Sequence, residues 1–345
     1  MNNIYIGEIS KLIIHQVGNK NNGDGVRFST RETSFVNIKE HFTSLLNNNF
    51  KFEELFGFYF TPNIELNPVF QFVTLIFKDL NSFIEQSHNC ARYLYDNSLH
   101  PKIKVGEFYT VYFKDCIVDG FNTNAVGLFK SENKDTFLKV FPSGDGFEIE
   151  SEEGANINKL DKGCLIFNIE KDNGYVVAVV DNTNKGFEAQ YWMDDFLHVR
   201  PRKDEYYNTQ NILTLCKSYV TKELPQQFDV SKADQIDFLN KSVKFFKEKE
   251  NFDIQDFVTQ VISQPEIINS FNRFRQEFQR DQELELPDQF TISESAVKKQ
   301  TRSIKSVIKL DKNFHIYVHR NRELIEQGVD EKGRKFYKIY YLEES

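Results

Sequence analysis

Cysteine is scarce in this sequence: Cys90, Cys116, Cys164 and Cys216 are the four among 345 residues. They form no CxxC pair, and no histidine stands at ligand spacing from any of them. This scatter argues against a disulfide framework or a zinc site and is typical of reduced, buried thiols. We therefore expect no metal site and no cofactor.

Long hydrophobic runs are also absent. No window reaches the length of about 18 uncharged apolar residues that a membrane span requires. The first residues lack the basic region and the cleavage site of a signal peptide. These absences predict a cytoplasmic protein that does not enter a membrane.

Signatures of common catalytic sites are missing as well. The loop from Gly18 to Gly25 is glycine-rich, but it lacks the GK[ST] ending of a phosphate-binding loop and no clear helix follows it. We interpret it as a turn. No GxSxG sequence occurs to support a Ser/His/Asp triad.

What the sequence contains is an ordinary globular composition, with 40% hydrophobic and 27% charged residues, which argues against extensive disorder. Apolar spacing predicts helices over 33–47 and 66–96, the second being one long helix or two that break near Asn81 and Ser82. From Lys102 the apolar period changes to two, and DG, NG and GDG turns separate short β-strands. Their brief connections favour antiparallel pairing.

The predicted fold class is α+β with two domains. Residues 1–200 are predicted to form a mainly antiparallel sheet that helices cover on one face. Residues 201–345 are predicted to be helical and to be closed by a small antiparallel sheet. Within this second domain, Ser231 is a predicted N-cap with Asp234 in the first helical turn.

Positive charge is concentrated near the carboxy terminus. Residues 296–322 carry a net charge of +7 in a chain whose total is −8. A positive stripe on an acidic body concentrates polyanions at that face, although a solvated lysine-rich surface would give the same pattern. The candidate DNA contacts are Lys298, Lys299, Arg302, Lys305, Lys309, Lys312, His315, Tyr317, Arg320 and Arg322.

Strand alternation orients the candidate residues. After a short helix that Ser293 caps, SIKSVIKL and FHIYVH alternate around a turn at 311–313. If the aliphatic face packs inward, Lys305, Lys309, His315, Tyr317 and His319 share the outer face. Tyr317 and the imidazoles would then be able to stack on unpaired bases. A third strand, KFYKIYYL, is predicted to complete this sheet.

Long blocks of the sequence resemble the bacterial 37-kDa nucleoid-associated family, also called NdpA or YejK. The blocks are IHQVGNK with GDGVRFS, LHPKIKVGEFYTVYF, AVGLFKSENKDTFLKV, NINKLDKGCLIFN, EAQYWMDDFL and AVKKQTRSIKSVIKLDKNFHIYVHRNRELIEQGVDEKGRKFYK. The resemblance runs from residue 4 to about residue 342. It implies a bacterial cytoplasmic protein that is found with the nucleoid and binds DNA. It assigns no contact residues, so the candidate residues depend on charge and geometry alone.

We predict a non-catalytic nucleoid protein that binds double-stranded DNA largely without regard to sequence. Lysine-rich stripes hold phosphates but read no bases, and no C₂H₂ finger, basic zipper or RRM signature is present. An adaptor for a DNA-topology or replication enzyme is one alternative, which the acidic segments 148–153 and 194–195 motivate. The sequence also leaves a homodimer open.

A magnesium-dependent nuclease is the other alternative. Asp119, Glu132 and Lys134 match the loose D-Xn-ExK outline, in which two carboxylates hold the metal and the lysine stabilises charge at the phosphate. Acids and lysines are abundant in this chain, so a chance match is expected. A polar turn is the simpler interpretation of Glu132.

Overall fold

The computed structural model describes residues 3–183, 191–304, 307–311, 313–318 and 322–343. The chain divides into two compact units, Asn2–Arg202 and Lys203–Ser345. Helices and mostly antiparallel strands occur in both, which confirms the α+β class.

An antiparallel sheet forms the centre of the amino-terminal unit. The helices of this unit are α1 (Lys39–Asn49), α2 (Pro68–Lys78) and α3 (Phe83–Asn97). The strands are β1 (Ile4–Tyr5), β2 (Glu8–Val17), β3 (Val26–Arg27), β4 (Phe56–Phe58), β5 (Gly106–Val118), β6 (Phe121–Ser131), β7 (Asp135–Ser143), β8 (Gly146–Gly154), β9 (Lys162–Phe167), β10 (Val176–Asp181) and β11 (Val199–Pro201). In the described residues nine of them join one sheet in the order β11-β4-β10-β9-β6-β5-β2-β3, with β1 also paired to β5.

Helices cover both faces of this sheet, whereas the sequence predicted cover on one. On β5, Val111 and Phe113 belong to the apolar layer that contains Phe42 and Leu46 of α1. Tyr112, between them, belongs to the opposite layer with α2 and α3. The prediction was wrong because both alternating sets of the central strands are apolar, so both faces need cover.

The long helical segment is two helices, as the predicted break near Asn81 allowed. Asp79 ends α2, and its carboxylate accepts a hydrogen bond from the Asn81 amide at 3.0 Å. A short 3₁₀ turn, Leu80–Ser82, then leads directly into α3. A side chain that bonds to a nearby backbone amide competes with the helix and so favours a break at this place.

Strands β7 and β8 do not join the sheet, although the sequence predicted them as part of the strand series. They pair only with each other, from Asp135↔Gly154 to Ser143↔Gly146, in the described residues. We call residues 135–154 the arm. Most of its side chains are exposed.

The loop from Gly18 to Gly25 is a structured turn and resembles no phosphate cradle. The Gly18 amide donates to the Gly25 carbonyl at 3.0 Å. The amide of Asn19 donates to the Asp24 carboxylate at 3.0 Å, which places an acid where a phosphate would have to bind. The Asn19 side chain also donates to the His100 and Ile103 carbonyls, so the loop is fixed to its own unit.

The amino-terminal unit contains a buried histidine, His15. His15 is only 2% exposed. Its Nδ1 accepts a hydrogen bond from the Ser29 amide at 3.1 Å, and its Nε2 lies 3.0 Å from Ser87 Oγ. Burial, and then the neighbouring His88, lower the pKa of His15 from 6.5 to about 4. The neutral ring therefore fits this environment and the charged ring does not.

We expect the free energy of unfolding to fall below pH 6.5 because of His15. A pKa that is lower in the folded than in the unfolded state gives stability above the unfolded pKa, which is lost as the pH falls toward the folded one. About 3 kcal/mol would disappear between about pH 6.5 and pH 4. The measurement is denaturant unfolding at several pH values for the wild type, His15→Gln and the exposed control His41→Gln. Parallel pH profiles for wild type and His15→Gln would contradict the expectation.

The carboxy-terminal unit is mainly helical. Its helices are α4 (Glu205–Ser218), α5 (Leu224–Gln227), α6 (Lys232–Glu248), α7 (Ile254–Phe257), α8 (Pro265–Asp281) and α9 (Glu294–Thr301). Its strands are β12 (Asn251–Asp253), β13 (Gln289–Thr291), β14 (Val307–Leu310), β15 (Phe314–Tyr317), β16 (Ile325–Val329) and β17 (Lys335–Ile339). A core rich in phenylalanine, which includes Phe246, Phe252, Phe257 and Phe271, holds the helices together.

Two separate hairpins end the chain, where the sequence predicted one three-stranded sheet. In the described residues β14 pairs with β15, and β17 pairs only with β16. The segment KFYKIYYL therefore finds its partner in the strand immediately before it. A short turn closes that pair through local contacts, whereas joining the earlier hairpin would require a longer loop to close.

All four cysteines are free and buried. Burial raises the pKa of the Cys90 and Cys164 thiols, and it raises that of Cys216 to about 12. Thiols of this kind are protonated at neutral pH and react slowly. In the described part of the chain no helix has the length and apolar composition to cross a bilayer.

Candidate nucleic-acid interface

Helix α9 presents two of the candidate lysines to solvent. Ser293 caps its start, with its hydroxyl accepting from the Ala296 amide at 3.4 Å. Ala296 and Val297 are buried, and the next two residues, Lys298 and Lys299, are exposed. The apolar residues thus fix which side of the short helix carries the cations.

Lys298 and Arg302 stand four residues apart and line the same groove. This groove, about 730 Å³ in volume, also has Lys247 and Lys249 from the end of α6 in its wall. Three acids, Glu248, Glu250 and Glu294, line it too. Sequence reasoning did not include the two α6 lysines, because they lie about fifty positions before α9.

Lys299 faces a different neighbour. Its ammonium lies 5.3 Å from the ring centre of Tyr206, on α4. A cation at that distance over an aromatic ring is attracted to the ring face. Lys299 and Lys298 therefore differ in surroundings although they are adjacent in sequence.

The β14–β15 hairpin places the next candidates on one face, as the alternation predicts. Lys309 is directly opposite His315, and Val307 is opposite Tyr317, so all four share a face. Lys309, His315 and Tyr317 are exposed, and 67% of Tyr317 is accessible.

The other face of this hairpin packs on α6. Ile308 and Val318 are buried against Ala233 and Ile236 near the start of that helix. Phe314 differs from the expectation: it lies on the aliphatic side, yet it is 65% exposed. Phe314 is next to the turn, beyond the part of the hairpin that packs on α6.

Arg322 contacts the capping box of α6. Ser231 accepts at its hydroxyl from the Asp234 amide, and the Asp234 carboxylate accepts from the Ser231 amide, so the predicted cap is present. The Arg322 guanidinium donates from Nε to Asp234 Oδ1 at 2.6 Å and from Nη1 to the Ile325 carbonyl. Burial raises the pKa of Asp234, but the hydrogen bonds from Ser231 and Arg322 outweigh it and leave the value below its usual range. Arg322 thus fixes the chain to α6.

Three candidates, Lys305, Lys312 and Arg320, lie outside the described residues, as does His319. Five of the seven described candidates form two groups, which lie near the two ends of α6. Lys298 and Arg302 lie beside the end of α6, and Lys309, His315 and Tyr317 are on the hairpin that packs near its start. At about 1.5 Å per residue, Ile236 and Phe246 of α6 are about 15 Å apart. The parts of α6 that the two groups adjoin are thus separated by less than one turn of duplex DNA.

The residues of the nuclease outline are not brought together. Asp119 lies in the turn that begins β6, where its carboxylate accepts from the Asn3 amide at 2.8 Å. Glu132 follows the far end of β6, about 35 Å away at the usual rise of a strand. Lys134 forms an ion pair with Glu107. In the described residues no three His, Cys, Asp or Glu side chains cluster in a way that would hold a metal ion.

The interpretation of Glu132 as part of a polar turn was wrong, because Glu132 is buried and belongs to an ionic network that sequence reasoning missed. Its Oε1 lies 3.0 Å from the Lys130 ammonium and accepts a hydrogen bond from the Tyr191 hydroxyl at 2.6 Å. Lys162, on the neighbouring strand, lies 3.1 Å from the Asp181 carboxylate. Lys130 and Lys162 are both fully buried.

The pKa shifts in this network follow from its burial. Burial lowers the pKa of Lys130, which Glu132 opposes by favouring the charged ammonium. Burial, and then the Glu132 charge, raise the pKa of Tyr191 well above its usual value, so the phenol stays protonated and donates. Each charge has a partner within the network, which is typical of a structural ion cluster.

The two acidic segments lie in different settings. Residues 148–153 are on β8 of the arm, where they are exposed. Asp194 and Asp195 lie in a π-helical turn, Met193–Leu197. Burial, and then the adjacent Asp195, raise the pKa of Asp194. The two segments therefore lie on different elements of the amino-terminal unit.

Comparison with known proteins gives one family. The sequence model of the family described as nucleoid-associated protein YejK matches residues 13–333. No curated protein matches the chain.

Proposed function

Because the chain belongs to the nucleoid-associated protein YejK family, we propose that it binds DNA through the basic carboxy-terminal residues and carries out no catalysis. The observation that supports this most directly is the hairpin face of Lys309, His315 and Tyr317, which α6 holds outward. Lys298 and Arg302, which lie beside the other end of α6, would add phosphate contacts. Arg322, whose guanidinium contacts Asp234, would position the hairpin instead.

Double-stranded DNA is the proposed ligand, with little preference for sequence. The cations would contact phosphates, which are the same in every sequence, and lysine has no planar head that reads base edges. Tyr317 and His315 would add stacking where bases are unpaired. We expect the chain to favour neither of two unrelated duplexes of equal length by more than a few-fold.

A salt titration tests this proposal. Each phosphate contact releases counterions, so about five contacts would make log K fall with log salt at a slope of about −4 to −5. The measurement is fluorescence anisotropy with two unrelated duplexes over a series of salt concentrations. A slope near zero, or binding of only one duplex, would contradict sequence-independent phosphate binding. Magnesium-dependent cutting of supercoiled plasmid would contradict the non-catalytic role.

A further inference from the structure

The arm, residues 135–154, is a two-stranded hairpin that separates apolar from charged residues. Its register puts Leu138 opposite Ser151, Val140 opposite Ile149 and Pro142 opposite Phe147. Residues directly opposite each other lie on the same face, and so do residues two apart. One face therefore presents the five apolar side chains Leu138, Val140, Pro142, Phe147 and Ile149.

This apolar face is unusually open. The exposed fractions are 70% for Leu138, 61% for Val140, 77% for Phe147 and 63% for Ile149. No arm side chain belongs to any hydrophobic cluster formed by the described residues. An exposed apolar patch of this kind on a folded chain marks an interaction site.

The opposite face carries the charge of the arm. Lys139 is opposite Glu150, Phe141 is opposite Glu148, and Phe137 is opposite Glu152. With Asp135, which is opposite Gly154, this face has four acids against one lysine and is negative, and Lys139 pairs with Glu152 at 3.1 Å. A nucleic acid would be repelled by these acids, which leaves a protein surface as the partner of the arm.

We propose that the apolar face of the arm packs against the same face of a second copy of this chain. A two-fold axis near the central pair, Val140 and Ile149, would bring each apolar side chain against its equivalent. Glu148, Glu150 and Glu152 would stay on the outer faces. Glu153, opposite Thr136, shares the apolar face but lies four residues from Ile149, about 13 Å along the strand, at the edge of the contact. The contact would also supply what an isolated two-stranded hairpin lacks, because such a hairpin has little stability alone in water.

The size of the face sets the expected strength of the dimer. Four large side chains with these exposed fractions present on the order of 500 Å² per copy, and the two copies together about 1,000 Å². This total reaches the lower limit of specific interfaces, so we expect a reversible dimer that dissociates at micromolar concentration.

Sedimentation velocity tests the proposal on the full chain. From about 1 μM to about 100 μM the wild type should pass from monomer toward twice the 40.6 kDa of the chain. Val140→Lys with Ile149→Lys puts two charges into the contact and should weaken it by at least about 100-fold. The matched control, Glu150→Lys with Glu152→Lys, puts two lysines on the opposite face and should leave the dimer intact. A wild type that is monomeric throughout would overturn the proposal.

A cysteine pair identifies the face that makes the contact. Val140→Cys should form an intermolecular disulfide under mild oxidation, because the axis places the two copies of position 140 close together. Lys139→Cys is the adjacent control on the opposite face and should not. The four native cysteines are buried and should not interfere. A dimer that cross-links equally through both positions, or through neither, would overturn the face-to-face arrangement even if dimers form.

Discussion

Replacing Lys298, Lys299, Lys305 and Lys309 with glutamate should lower the affinity for DNA about 10³-fold at about 0.15 M salt. Each phosphate contact contributes nearly one unit to the salt slope, and the loss of four contacts accounts for about three powers of ten at that ionic strength. Repulsion by the new carboxylates would add to the loss. The slope itself should fall by about 3.6.

The control separates local charge from total charge. Lys51, Lys78, Lys114 and Lys159 are exposed lysines of the amino-terminal unit. Their replacement by glutamate changes the net charge by the same amount as the carboxy-terminal reversal. None of these lysines is a proposed phosphate contact, and exposed charges are largely screened from one another at this salt concentration, so we expect this control to bind nearly as well as the wild type.

The comparison is direct, because both variants are titrated with the same duplex over the same salt series. Equal losses in the two variants would mean that the acidic total, and not the basic face, determines binding. Full retention of affinity in the carboxy-terminal reversal would remove the proposed interface. Circular dichroism should show both variants folded, because all of the replaced residues that the structure describes are exposed.

Features that depend on neighbours in sequence could be predicted. The Ser231–Asp234 capping box depends on residues three positions apart, and it is present. The faces of β14 and β15 follow from alternation within each strand, so Lys309 and His315 share a face as expected. These local rules fix which way a side chain points once the element forms.

Features that depend on distant residues could not be predicted. Arg322 was a candidate phosphate contact, but it pairs with Asp234, which lies 88 positions away. The alternation of β7 and β8 identifies strands but does not say whether they join the sheet or stand apart as the arm. A period of two in the sequence indicates which residues share a face of the strand, but it does not indicate which element pairs with the strand or covers that face.

The buried ionic network also depends on distant residues and could not be predicted from the sequence. Lys130 and Lys162 are directly opposite each other on β6 and β9. Two like charges at such a position destabilise a sheet unless acids compensate them, and here Glu132 and Asp181 do so. The signal in the sequence is a lysine at the edge of an apolar run in each strand. These lysines indicate an ionic network only when the two strands are known to be neighbours.

Lys130→Ala should therefore destabilise the amino-terminal unit by about 3 kcal/mol, which corresponds to a fall in Tm of about 6–12 °C. The substitution leaves the Glu132 carboxylate buried with the Tyr191 hydroxyl as its remaining close partner in the network. Relief of the repulsion between Lys130 and Lys162 offsets part of the cost, which places the expected value at the low end for a broken buried pair.

Two further variants make the cause of this loss measurable. Lys134 lies four positions after Lys130, and its ion pair with Glu107 is about one-third exposed. Lys134→Ala should therefore lower the free energy of unfolding by less than about 1 kcal/mol. Lys130→Met combined with Glu132→Gln removes both charges and should recover most of the stability, because no buried charge is left alone. Denaturant unfolding, followed through the buried Trp192 of the same unit, reports the differences. If Lys130→Ala costs no more than Lys134→Ala, the network contributes nothing beyond an ordinary surface pair. If the double variant is as unstable as Lys130→Ala, a buried charge left alone is not the cause of the loss, because no such charge remains in that variant.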